Sequence, residues 1–89
     1  MGANPLYLKF KAFAKFYMEQ AGASGISLTD IRNTTRQDIY GPIETAIVRA
    51  EEAYRKDDAR GVDINLEAAK KAYLRGILGV QKLQQHLGG

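Results

Sequence analysis

Apolar residues recur along this chain in stretches whose spacing names an element. Leu6, Phe10, Phe13 and Tyr17 stand four, three and four residues apart. That places them on one face of an α-helix, widened by Ala14 and Ala21. Asn4-Pro5 opens the helix, because Asn accepts a first-turn N–H and the fixed φ of Pro suits the first helical position. The spacing predicts a helix over 5–21, stopping in Ala21-Gly22-Ala23-Ser24-Gly25, where glycine supplies a C-cap. Next, Ile26-Ser27-Leu28 alternates, as a minimal strand or as the entry to a second helix. Ser27-Leu28-Thr29-Asp30 approximates a capping box with Asp in place of the usual Glu, and Ile31 is the inward residue of a short helix ending near Thr34-Thr35.

Tyr40-Gly41-Pro42 restarts the chain, with Pro42 again in a first helical turn. Ile43, Ala46, Ile47 and Ala50 occupy i, i+3, i+4 and i+7, one face of a third helix. Val62-Asp63-Ile64 has the alternation of a strand. From Leu66 the period returns to that of a helix. Leu66, Ala69, Tyr73, Gly76, Val80, Leu83 and Leu87 repeat at three and four, an a/d seam that predicts a pairing helix. Leu74, Ile77 and Leu78 widen the apolar surface beyond a single stripe. One face of this helix is expected to pack on the first helix and the seam to pair with a second subunit; the other reading is a core helix packed wholly within its own domain. Gly76 and Gly79 permit close helix approach at about 1 kcal/mol each in propensity relative to Ala.

The order of these elements resembles a winged helix-turn-helix. LTDIRNTT followed by IETAIVRAEEAY is similar to the helix-turn-helix of MarR-, IclR- and PadR-type regulators, with Leu28, Ile31, Ile43, Ala46, Ile47, Ala50, Glu51 and Glu52 on the pattern. RKDDARGVDINLEAAKKAYL resembles the wing and the helix after it, through Arg55, Lys56, Asp58, Arg60, Val62, Ile64 and Leu66. The resemblance implies a mainly α fold: one winged-helix domain over 1–89, three helices plus a small β-wing, and a C-terminal dimerisation helix. Helix 1 would span 5–21, the helix-turn-helix 26–54, the wing 55–66 and the last helix 67–87. The other reading of 42–66 is an all-helical bundle. There the third helix runs on to Asp57 or Asp58, ends at Gly61, and re-enters a helix capped by Asp63 or Asn65.

The resemblance implies a dimeric protein that reads double-stranded DNA, as a transcriptional regulator or DNA-binding accessory factor. Arg36, Gln37, Tyr40, Thr45 and Arg49 would face base edges or adjoining phosphates in the major groove. Arg55, Lys56 and Arg60 would reach flanking phosphate or the minor groove from the wing. Ser27 and Thr29 would hydrogen-bond a phosphate at the second helix's N-terminus. Asp38 and Glu44 lie near the groove-reading face, where a carboxylate opposes phosphate unless it reads a cytosine amine. The alternative function is a protein–protein assembly or adaptor module that binds no nucleic acid.

Charge and composition narrow these choices. The net charge is +3 in 89 residues, and it is unevenly placed. Residues 1–22 carry +2, residues 23–53 carry −2 and residues 54–89 carry +3. The basic excess therefore lies outside the central segment, which favours the adaptor more than phosphate binding. There is no cysteine and a single histidine, His86. No dinucleotide fingerprint, Walker loop or H-E-x-x-H motif is present. No catalytic residue, metal ligand or cofactor is expected, and the protein is not expected to be an enzyme. Lys9, Lys11 and Lys15 interrupt the N-terminal apolar segment, and the apolar runs are too short for a bilayer. A cytoplasmic protein without a membrane partner is the expectation.

Overall fold

The computed structural model describes the backbone of residues 4–88 and the side chains of residues 4–85. Four helices fill it: α1 (Pro5–Ser24), α2 (Leu28–Thr34), α3 (Gln37–Arg55) and α4 (Ala59–Gly88). Among the described residues there is no strand, so the winged helix-turn-helix expected from the resemblance is corrected to an all-helical fold.

Local chemistry sets each boundary. Asn4 Oδ1 accepts the Leu6 N–H at 2.9 Å and Pro5 takes the first helical position. α1 runs past residue 21, through Gly22 and Ala23 to Ser24. It stops at Gly25, whose φ of +72° is open to glycine without steric cost. α2 is closed by the expected capping box. The Asp30 N–H donates to Ser27 Oγ at 3.2 Å, and the Ser27 N–H donates to Asp30 Oδ2 at 2.8 Å. The Ser27 N–H first, and second its hydroxyl, which donates to Asp30 Oδ2 at 3.0 Å, hold the Asp30 carboxyl below its ordinary range.

α3 begins five residues before Pro42 rather than at it. Proline in a helix removes one N–H and crowds the preceding turn. Here it leaves only the Asp38 carbonyl without its i+4 donor, at an exposed turn. The residue before it, Gly41, has no Cβ to clash with the proline ring.

The expected wing is the joint between two helices. Asp58 N–H donates to Ala53 O at 2.9 Å and Asp57 N–H to Tyr54 O at 3.0 Å, the two bonds of a Schellman motif. Asp57 takes the left-handed position at φ +58°. Asp58 then caps α4, its Oδ1 accepting the Gly61 N–H at 3.0 Å. The apparent strand Val62-Asp63-Ile64 lies in the second turn of α4. A strand would put Val62, Ile64 and Leu66 on one face. Instead Val62 is 0% and Leu66 5% exposed, while Ile64 is 57% exposed.

α3 and α4 form an antiparallel hairpin, and α1 lies along α4 in the same direction. Lys9 Nζ meets Asp63 Oδ1 at 2.6 Å, and further along the Tyr17 and Tyr73 rings meet edge to face at 5.3 Å. The core has two parts. Leu6, Ala50, Ala53, Val62 and Leu66 fill the end nearest the α3–α4 turn, with Phe10, Phe13 and Tyr54 packed on them. Ile26, Ile31, Ile43, Tyr73, Ile77 and Val80 fill the other end, where α2 closes it. Tyr73 is the largest side chain in this core and is 1% exposed. Its hydroxyl donates to the Ile26 carbonyl at 2.6 Å. Burial, followed by the nearby Tyr17 and Asp30, pushes its phenol from 10.0 up to about 12.

The seam expected to pair two subunits is therefore filled from within. Leu66, Ala69, Tyr73, Gly76 and Val80 are all buried by the chain's own helices. At Gly76 an added Cβ would lie 2.9 Å from Ile31 Cδ1 and 3.3 Å from Ile43 Cδ1, so the close approach that this glycine permits is intramolecular. Leu83 is 38% exposed. The side chain of Leu87 lies outside the described residues, as does that of His86.

Candidate functional site

The ten residues proposed to meet DNA do not form one surface. Arg36, Gln37 and Tyr40 stand at the start of α3, and Arg55, Lys56 and Arg60 at its far end or just beyond. At 1.5 Å per residue the 19 residues of α3 separate these groups by about 28 Å. With no β-hairpin beside α3 among the described residues, nothing folds the second group back towards the first. Tyr40 is half-buried and packs against the α2-side core. Thr29 is exposed, but Ser27 is committed to its capping box, and the Asp30 carboxylate stands where a phosphate would approach α2.

Thr45 and Arg49 lie on the outward face of α3 and are exposed. That face is acidic. α3 carries Asp38, Glu44, Glu51 and Glu52, all exposed, against Arg49 and Arg55. A recognition helix with four carboxylates and two arginines repels a phosphate backbone more than it attracts it.

The opposite charge sits on α4. After Glu67 the chain has no acidic residue, while Lys70, Lys71, Arg75 and Lys82 follow. This half of α4 also exposes large apolar side chains: Leu78 is 56% and Leu74 40% exposed. Both line a shallow groove with Gln20, Ala23 and Ser24 at the end of α1. α1 ends there, and α3 begins two residues before Ile39, the residue that packs opposite Gly79. The last turns of α4, after Gln81, run on past both helices.

Two ion pairs occur among the described residues, Lys9–Asp63 and Lys70–Glu67 at 3.3 Å, and both are exposed. Neither uses the acidic residues of α3 or Arg75 and Lys82. Asp38 and Arg75 share a shallow cleft without pairing. Lys70 also lies over the Phe16 ring at 5.4 Å from its centroid. Among the described residues no three His, Asp or Glu side chains come together as a metal-holding set, and no helix is long and apolar enough to cross a membrane. No family model, curated protein or solved structure matches the chain.

The sequence pointed to this surface only obliquely. Leu74 and Leu78 stood out as apolar residues off the main stripe. Their exposure became visible once the stripe itself was seen to be spent on the interior.

Proposed function

We propose that this protein is a helical protein–protein assembly module whose contact element is the C-terminal half of α4. The observation that carries this reading is the pairing of Leu74 and Leu78, exposed, with an acid-free run of cations on a helix that outruns its own bundle. Apolar side chains rimmed by charge on a preformed helix are the usual composition of a contact patch. The duplex-reading alternative has lost the wing on which its second contact depended, and its reading helix is acidic. The cysteine-free chain suits the reducing cytoplasm.

A photo-cross-linking residue in place of Leu78, in the full-length chain and in extract of its own cells, tests the reading. Discrete protein adducts are expected, whether to another copy or to a different protein. They should be lost when Leu74 is changed to Asp, while the helical circular dichroism stays the same, because Leu74 is not part of the core. A random-sequence duplex should not be shifted at about 50 mM salt, where any phosphate-binding surface is near its strongest. Absence of adducts, adducts indifferent to Leu74→Asp, or a duplex shift that falls steeply with salt would each contradict the proposal.

A further inference from the structure

The exposed charges of α3 and α4 have matching registers. On α4, Arg75, Leu78 and Lys82 stand three and four residues apart, at i, i+3 and i+7, which is one stripe of the helix. On α3, Glu44, Val48 and Glu51 stand four and three apart, again one stripe. All six are exposed. Val48 is the one large apolar residue exposed on α3, and it lies between two glutamates as Leu78 lies between two cations. Laid antiparallel, the stripes place Arg75 on Glu51, Leu78 on Val48 and Lys82 on Glu44. Within one chain they cannot meet, because α3 and α4 already pack against each other through Ile43, Ala46, Ala50, Gly76 and their neighbours.

Resting on the assembly reading above, we infer that the partner is a further copy of this chain, the Arg75–Leu78–Lys82 stripe of one copy lying antiparallel on the Glu44–Val48–Glu51 stripe of the next. The contact is heterologous: each copy offers one surface of each kind. Assembly proceeds head to tail, into a ring if the rotation closes and a filament if it does not. A bilayer fits less well, since two leucines leave little apolar area to insert once the main stripe is buried. A nucleic acid would meet the cations of α4 but finds the acidic α3 beside them. Exposed ion pairs are individually weak, so the contact is salt-sensitive and concentration-dependent.

Charge reversal gives a test whose outcomes separate the surfaces. The variant Glu44→Lys/Glu51→Lys has two basic stripes, and Arg75→Glu/Lys82→Glu has two acidic ones. All four positions are exposed, so both variants should keep the helical spectrum of the parent. In sedimentation at low salt the parent should rise above the 9.8 kDa monomer as concentration increases and return towards it with added salt. Each variant alone should associate at least tenfold more weakly. An equimolar mixture should recover the parent's association, because each stripe then finds its complement on the other variant.

A parent that stays at 9.8 kDa up to about 1 mM, the limit of weak specific association, overturns the inference. So does a mixture that fails to recover. Binding of the parent to phosphatidylglycerol vesicles without self-association overturns it too, in favour of a membrane surface. If Leu78 cross-links only to a different protein, the assembly reading survives and the self-partner does not.

Discussion

Tyr73→Ala is expected to cost about 3–5 kcal/mol, the range for truncating a large buried aromatic. A domain of this size holds a total of only 5–15 kcal/mol, so the variant should be largely or marginally unfolded at 37 °C. The reason is the number of elements that meet on this ring. α2 contributes Ile31, α3 contributes Ile43, α1 contributes Tyr17 edge to face, and the Ile26 carbonyl accepts the hydroxyl's hydrogen bond. Tyr73→Phe keeps the ring and should lose only about 1–2 kcal/mol, the consequence of leaving the Ile26 carbonyl without its buried donor.

The same pair of variants carries a pH signature. In the unfolded chain the phenol ionises near 10, whereas in the folded chain burial holds it neutral up to about 12. A raised folded value means that stability is fully present below pH 10 and falls as pH rises towards 12. Urea unfolding of the parent across that window should show a loss that is shallower in Tyr73→Phe. Equal slopes would mean that Tyr73 is not buried as described.

Gly76→Leu should also be strongly destabilising. A single added Cβ already falls 2.9 Å from Ile31 Cδ1 and 3.1 Å from Ile31 Cγ2, so a whole leucine would push α2 and α3 away from α4. Overpacking of this kind costs about 1–3 kcal/mol, and more where a helix must move. Gly79→Ala is the matched control. Its Cβ would meet Ile39 Cδ1 at 3.4 Å, ordinary contact, so the gain of up to about 1 kcal/mol in helix propensity should prevail. If the seam paired two subunits instead, Gly76→Leu would alter association and leave monomer stability largely untouched. Thermal unfolding at two protein concentrations separates these results.

Much of the fold was legible from side-chain period and end chemistry. Asn4-Pro5, the Ser27–Asp30 box and the Ile43/Ala46/Ala50 face all stand where the sequence put them, because each depends on residues a few positions apart. The α4 period was also legible from Leu66 onward. What misled was the joint. Val62-Asp63-Ile64 alternates over too few residues to tell a strand from a helical turn, and Gly61 looked like a breaker. The deciding contact is between distant residues: Val62 joins Leu6, Ala50 and Ala53 in one cluster.

The seam misled for a related reason. A heptad pattern states that a face is covered and says nothing of what covers it. The other three helices were enough to cover it from within, which removed the second subunit from that face. The proposed DNA residues are exposed except Ser27 and Tyr40, but exposure is common for Arg and Lys. Their separation along α3, and the carboxylates between them, followed only from geometry.

The account rests on α4 being one unbroken helix from Ala59, joined to α3 by a tight turn. Backbone carbon chemical shifts across Tyr54–Leu66 of the full-length protein test this most directly. Helical values through Arg55, a left-handed signature at Asp57 and helical values again from Arg60 through Leu66 are the predicted result. Extended values at Val62, Asp63 and Ile64, with cross-strand contacts to Arg55 and Lys56, would contradict it.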